Sequence, residues 1–342
     1  MVQPEKITMQ DIAARCGVSA STVSRVLNGS SQISEATKRA VLNAATELGY
    51  VPDFFARSLR SDAQRIAGIF VNSVSPAFET SSRLLSILIN LLTEKGFTPF
   101  VCITGIDAEK ELYYYQRLEA VHASVIFKIL NNSNHKLDEI SSIPIIYLYN
   151  YPLQDTPGEH VYRVETDNYG AGYQAGQELL RQGCRVISEV RLISPRAGFP
   201  FARHLGLLQA LYDHGAVYDE LRSVICNQND FGSILQSIDD HLAQISPADG
   251  YFCSSDLAAM ALQASLEAHG FTIPGQVKII GCNNMSISQC SIRPVSTVSH
   301  RWDDLCEAAI SLMDKIMFGE PFSPEDRRII IPTDLVPRAT TL

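Results

Sequence analysis

The chain has 342 residues and a formal net charge of −9, too long for one ordinary domain and long enough to bury two or three real cores. The charge is split along the chain. Residues 1–61 hold seven cations (Lys6, Arg15, Arg25, Lys38, Arg39, Arg57, Arg60) against five acids (Glu5, Asp11, Glu35, Glu47, Asp53), which leaves −11 on the remainder. A mildly basic head can neutralise phosphates, while an acidic body repels them and keeps non-specific adhesion low. The eight cysteines lie far apart with no C-x-x-C pair, which argues against a disulfide frame and against a zinc site. No apolar run of signal-peptide length opens the chain, and nowhere do eighteen uncharged apolar residues occur together, so a cytoplasmic protein is expected.

In chain order, Thr8 to Asp11 has the form of a helix-opening box, with a hydroxyl to take an orphan backbone N–H and an acid in the first turn. Ile12, Ala13 and Cys16 give the first helix an apolar face, and Gly17 stops it with a residue that tolerates positive φ. Ser19 then caps a second helix, Ala20 to Asn28, closed by Gly29. Two short helices joined by a glycine turn make a helix-turn-helix. Val23, Val26 and Leu27 pack inward at helical spacing, leaving the polar residues for other faces. Arg25 can fork onto guanine O6 and N7, Ser21 can bond a base edge, and Ala20 can touch a thymine methyl. Ser19, Thr22, Ser24 and Asn28 suit phosphate oxygens better. Ser34 caps a third helix through Leu48, ended by Gly49, whose Ala40, Val41, Ala44, Ala45 and Leu48 complete a three-helix core.

Tyr50-Val51-Pro52 breaks that helix. Asp53 to Arg60 can add about two turns with a basic edge and exposed apolar groups, too short to be stable alone. Such a segment can fold against a partner copy and a minor groove, wedging an apolar side chain between base steps.

These residues resemble the head of the LacI/GalR family of bacterial regulators. The likeness is carried by Ile7 to Asn28 (ITMQDIAARCGVSASTVSRVLN), Ile33 to Arg39 (ISEATKR) and Leu48 to Pro52 (LGYVP). The resemblance implies sequence-specific binding of operator DNA, with base choice at Ala20, Ser21 and Arg25 and the minor-groove wedge at Leu59. The wider set of expected DNA contacts adds Thr8, Ser34, Tyr50, Ala56 and Arg57. One position departs: Asp53 stands where the family usually has Asn, and an acid there faces phosphate less comfortably.

From Arg65 the chain alternates short apolar runs with helical patterns, the signature of parallel α/β sheets. Strands are expected at Ile66 to Val71, Thr98 to Ile103, Ala123 to Phe127 and Ile143 to Leu148, with helices at Thr80 to Lys95 and Leu112 to Ala120. A second series follows Asp167-Asn168, with helices to Arg181 and at Ala202 to His214, Ser233 to Gln244, Leu257 to His269 and Trp302 to Phe318. Its strands are expected at Val186 to Ile193, Ser223 to Cys226, Gly250 to Cys253, Val277 to Ile280 and Ser296 to Val298. The predicted architecture is an all-α helix-turn-helix head (three helices plus a hinge helix) followed by an α/β body of two doubly wound parallel-sheet lobes. The expected boundaries are 1–51 for the head, 52–64 for the hinge and linker, and 65–342 for the effector-binding and dimerisation body.

Two such lobes leave a cleft at the carboxyl ends of their strands. The body also resembles the family's periplasmic-binding-protein-like domain, more loosely than the head does. The pieces are Ser75 to Phe78, Asp167-Asn168, Arg203 to Gly206, Ser255-Asp256, Ile273-Pro274, Gly281 to Asn284 and Pro294 to Val298. Carried over by position, the resemblance implies effector contacts at Asn72, Phe78, Lys128, Tyr149, Arg203, Phe231, Ser255, Asp256 and Asn283. Where the family usually has Asp-Asp, this chain has Asn283-Asn284, and Lys128 adds a cation at a strand end. With Arg203 these changes favour a phosphorylated sugar or a carboxylate over a neutral sugar; the alternative is that Lys128 faces solvent and Asn283 bonds a hydroxyl.

An enzyme is not expected: there is no P-loop, no G-x-S-x-G, no H-E-x-x-H and no Gly-rich dinucleotide turn. The eight histidines, His300 among them, are scattered, and most are expected to be surface or capping residues. No cofactor and no metal are expected. The expectation is a homodimeric repressor whose hold on a pseudo-palindromic operator is controlled by a small sugar or sugar phosphate. Two other readings remain open: a ligand-binding protein with a vestigial head, and an architectural DNA binder whose body only dimerises.

Overall fold

A computed structural model describes residues 7–27, 32–48, 50, 65–73, 79–105, 107–129, 135–149, 158, 160–192, 199–227, 230–323 and 325–342. The chain divides into residues 1–64 and 65–342. Asn28, Phe78 and the expected hinge, with Asp53, Ala56, Arg57 and Leu59, lie outside the described residues.

In the first unit, α1 (Met9–Cys16), α2 (Ala20–Leu27) and α3 (Glu35–Glu47) close around Ile12, Ala13, Val23, Val26, Val41, Ala44 and Ala45. α1 opens on the expected capping box. The Asp11 carboxylate accepts from both the Thr8 N–H and the Thr8 hydroxyl, at 2.7 Å each, and these bonds hold the Asp11 pKa below its ordinary value. Gly17 ends α1 at φ 65°, its N–H bonded to the Ala13 carbonyl, which is the left-handed cap that glycine adopts most cheaply. Ser34 caps α3 by accepting from the Thr37 N–H at 3.3 Å.

The second unit contains two sheets. The first runs β12-β5-β4-β3-β1-β2 and is parallel throughout. Its strands are β1 (Ile66–Val71), β2 (Thr98–Ile103), β3 (Val125–Ile129), β4 (Ile145–Tyr149), β5 (Val161–Thr166) and β12 (Arg328–Ile331). Helices α4 (Glu79–Glu94) and α12 (Trp302–Met317) cover one face. On the other lie α5 (Ala108–Ala120) and α6 (His135–Ile140). Because both faces are covered, β1, β3 and β4 are buried at every position, as continuous apolar strands require.

The second sheet runs β13-β11-β10-β9-β6-β7, with β8 also on β6. Its strands are β6 (Val186–Leu192), β7 (Val217–Tyr218), β8 (Val224–Cys226), β9 (Gly250–Cys253), β10 (Lys278–Cys282), β11 (Ser296–His300) and β13 (Thr333–Val336). Among the described residues, only the β11 and β13 pairing is antiparallel. Helices α7 (Asn168–Arg181) and α8 (Phe199–Asp213) pack on one face; α9 (Phe231–Leu242) and α10 (Asp256–Ala268) pack on the other. A short α11 (Ser286–Cys290) follows β10.

The chain passes between the two sheets three times: from β5 into α7, from β11 into α12, and from β12 into β13. All three passages gather at strand ends, where doubly wound sheets place their ligand sites. Among the described residues no helix is long and apolar enough to cross a membrane, and no group of three or more His, Cys, Asp and Glu side chains could hold a metal ion. All eight cysteines are free thiols.

Candidate functional site

On the head, the apolar stripe of α2 turns Val23 and Val26 inward and leaves Ser21 and Arg25 exposed one turn apart. Ser19 caps this helix, its hydroxyl accepting from the Thr22 N–H at 3.1 Å and pairing with the Ser21 and Thr22 hydroxyls at 2.8 Å. Ala20 and Tyr50 pack in part against the head core, and the Tyr50 N–H bonds the Ala45 carbonyl. Thr8, Ser24 and Ser34 lie near helix starts or on the outer faces. The head therefore offers a short row of hydroxyls and one guanidinium on a rigid helix.

In the body, the first residue to place is Arg203. Gly172 on α7 and Gly206 on α8 let these helices touch backbone to backbone: a Cβ at Gly172 would stand 1.8 Å from the Arg203 carbonyl oxygen, and one at Gly206 would stand 2.0 Å from that of Tyr169. That approach seats Arg203, only 1 % exposed, against strand ends of both sheets. Its Nε donates to Asn168 Oδ1 at 2.9 Å and its Nη1 to the Ser254 carbonyl at 2.6 Å. Its Nη2 donates to the Tyr149 hydroxyl at 2.7 Å and to His300 Nε2 at 3.1 Å, with Asn283 Oδ1 at 3.4 Å. Tyr149 ends β4 of the first sheet; Asn283 follows β10 of the second. Both have positive φ, 79° and 103°, a conformation that non-glycine residues hold mainly where surroundings over-determine it.

His300 sits at the end of β11, fully buried. Burial and the neighbouring Arg203 charge hold its pKa well below the ordinary 6.5, so the ring is neutral. Arg203 Nη2 can only donate to Nε2, while Asn283 Oδ1, 3.2 Å from the same atom, can only accept from it. Nδ1 pairs with Thr166 Oγ1 at 2.7 Å. Burial also pushes the Tyr149 phenol up to about 12, against the opposing pull of Arg203. Trp302 closes the group, 5.2 Å from the Tyr149 ring and 4.9 Å from His300 between centroids.

The structure brings Tyr149, Arg203 and Asn283 together. Asn72 lies half-buried just after β1, and Phe231 opens α9 at 40 % exposure. One expected contact, Lys128, lies away from this group. Lys128 is fully buried on the α5 and α6 side of the first sheet, with Nζ 3.1 Å from Glu111 Oε2 and 3.7 Å from Asp138 Oδ1. Parity of the strand is the reason: Phe127 and Ile129 face α4 and α12, so Lys128 must face the other way. Ser255 caps α10, accepting from the Ala258 N–H. Asp256, fully buried, accepts from the Thr297 hydroxyl and the Met285 N–H. Thr166, Asn168, His300 and Trp302 were not among the expected contacts. The signal available was position: each stands where the chain leaves a strand to change sheets.

Asp256 carries a testable pH dependence. Burial raises its pKa from 3.8 to about 7, more than the Thr297 and Met285 bonds lower it. A carboxyl with a raised folded pKa stabilises fully below its unfolded value, and this contribution is lost as pH rises through the folded one. Urea midpoints of the wild type should therefore fall between about pH 4 and 7 through this group, and Asp256→Asn should flatten that slope; an unchanged slope would contradict the assignment.

Residues 8–53 match the family described as bacterial regulatory proteins, lacI family, and residues 176–341 match the periplasmic binding protein-like domain. The chain thus pairs a lacI-family head with a periplasmic binding protein-like body. Relatives align with nearly its whole length. It is 28 % identical to the ribose operon repressor of Halalkalibacterium halodurans over 98 % of this chain and 97 % of the relative. With the transcriptional regulator CelR of Thermobifida fusca it shares 29 % over 99 % of each. A solved CelR–cellobiose complex superposes with a TM-score of 0.68 at 27 % identity, covering 98 % of this chain and 99 % of that one. The lac repressor dimer bound to operator and the anti-inducer ONPF superposes at 0.83 with 19 % identity over 99 % and 100 %, a likeness of fold. The family matched by the head is one of regulatory proteins, and these relatives are named as a repressor and a transcriptional regulator.

Proposed function

We propose that this LacI-family regulator binds a pseudo-palindromic operator as a cytoplasmic homodimer through the 1–51 head, and that a sugar or sugar phosphate bound between the lobes of the 65–342 body controls that binding. Residues 52–64 serve as hinge. The observation that carries the reading is the Arg203 group, which joins strand ends of both sheets beside the three passages of the chain. A ligand that changes the bonding of this group changes the angle between lobes, and the coupling to DNA affinity is of the order of 1–3 kcal/mol.

Relatives named as ribose and sucrose operon repressors, and the CelR–cellobiose complex, support a carbohydrate effector. Arg203 and Asn283 offer hydroxyl-binding chemistry, with Asn72, Phe78 and Phe231 as further candidates. With Lys128 committed to Glu111 and Asp138, a preference for phosphate rests on Arg203. A thermal-shift screen of ribose, sucrose, cellobiose and their phosphate esters tests this: one class should raise the melting temperature in a concentration-dependent way. No shift with any of them would overturn the carbohydrate assignment.

For the head, Arg25, Ser21 and Ala20 read bases, while Thr8, Ser19, Thr22, Ser24, Asn28, Ser34, Tyr50, Ala56 and Arg57 contact the backbone and Leu59 wedges the minor groove. Arg25→Ala should cost about 1–3 kcal/mol on the preferred site and relax specificity at one base pair. Competition binding across single-base operator variants reads it; a uniform loss on every sequence would make Arg25 a phosphate contact instead.

A further inference from the structure

The side chain bonded most directly to Arg203 from the first sheet is not on a helix or a loop lid. It is Tyr149, the last residue of β4, held at φ 79° so that its phenol reaches across to the second sheet. Its hydroxyl accepts from Arg203 Nη2 at 2.7 Å and donates to Asn283 Oδ1 at 3.1 Å. An acceptor from a guanidinium that also donates to an amide oxygen has the bonding pattern of a sugar hydroxyl in a polar site. The ring is fixed from behind, edge-on to His300 at 5.1 Å and against Trp302.

We infer that the Tyr149 hydroxyl is a built-in substitute for an effector hydroxyl: it ties the two lobes together through Arg203 and Asn283, and an effector must displace it. This rests on the reading of the Arg203 group as the effector site. Tyr149 then acts as a competitor of the ligand and sets the affinity threshold, whereas a residue that simply lined the pocket would add to affinity. The two roles give opposite signs on mutation.

Tyr149→Phe removes one oxygen and keeps the ring in its aromatic packing, so the fold should survive, as far-ultraviolet circular dichroism would verify. The readout is already in place, because Trp302 is the only tryptophan of the chain, is 3 % exposed and touches the Tyr149 ring. In the full-length protein without ligand, acrylamide quenching of Trp302 should rise in the variant as the tie between lobes is lost. Ribose, sucrose and cellobiose are then titrated into both proteins, and whichever binds should bind the variant about tenfold more tightly, the worth of one hydrogen bond to a charged group. Weaker binding to the variant would overturn the inference and make Tyr149 an ordinary ligand contact. Unchanged quenching would overturn it as well, since no tie would have been released. Raised quenching with no sugar bound by either protein would uphold the tie and count against the carbohydrate effector alone.

Discussion

Arg203→Ala is expected to lower the stability of the body by about 3–5 kcal/mol, since it removes several charge-assisted hydrogen bonds and leaves a void where the side chain packed. The Asn168 amide oxygen, the Ser254 carbonyl, the Tyr149 hydroxyl and His300 Nε2 would all lose a buried donor at once. Urea denaturation followed through Trp302 reads the loss, because that ring packs against two members of the group. Arg203→Lys should recover only part of it, since an ammonium is a point charge and cannot serve these acceptors in their planar arrangement. Both variants should also lose the response to effector. An alanine variant as stable as the wild type, with its ligand response intact, would remove Arg203 from the centre of the site.

The second large effect is expected at Lys128, with a different signature. Lys128→Met takes from Glu111 and Asp138 the buried cation that both contact, and all three side chains are buried. Removing one partner of a buried ion pair typically costs about 3–5 kcal/mol, because the remaining charge is uncompensated. The Tyr147 hydroxyl, which donates to Asp138 at 2.8 Å, softens the effect without replacing the charge. Combining Lys128→Met with Glu111→Gln should restore much of the stability, and effector affinity of the double variant should equal that of the wild type. Loss of phosphate-ester binding in a stable double variant would return Lys128 to the effector site.

The contrast between these two cations shows what could be read in the residues alone. The head was legible almost throughout: Thr8 with Asp11, Gly17, Ser19 and Ser34 are local devices whose meaning does not depend on distant contacts. Strands such as β1 were legible because a fully covered parallel strand is apolar at every position. β5 was not, since Arg163 and Glu165 interrupt its apolar run and half-face the surface. β12 is an exposed edge strand whose partner, β5, lies more than 150 residues earlier, and nothing local announces that pairing.

At the site, Tyr149, Arg203 and Asn283 were named from the likeness to the family, but Thr166, Asn168, His300 and Trp302 were not. His300 becomes central only when β5 and β11 end side by side, which is a property of the topology. Lys128 was misplaced for a simpler reason. Counting alternate positions along β3 puts it with Ile126, on the face away from Phe127, and that count needed no structure.

The central claim is that occupancy of the cleft and occupancy of the operator are coupled. The direct test is the affinity of the full-length chain for a DNA site obtained by in vitro selection, measured by fluorescence anisotropy with and without the carbohydrate that raises its melting temperature. A change of about 5- to 150-fold is expected, matched by an equal shift in carbohydrate affinity when the DNA is present. Equal DNA affinity at zero and saturating carbohydrate would contradict the account.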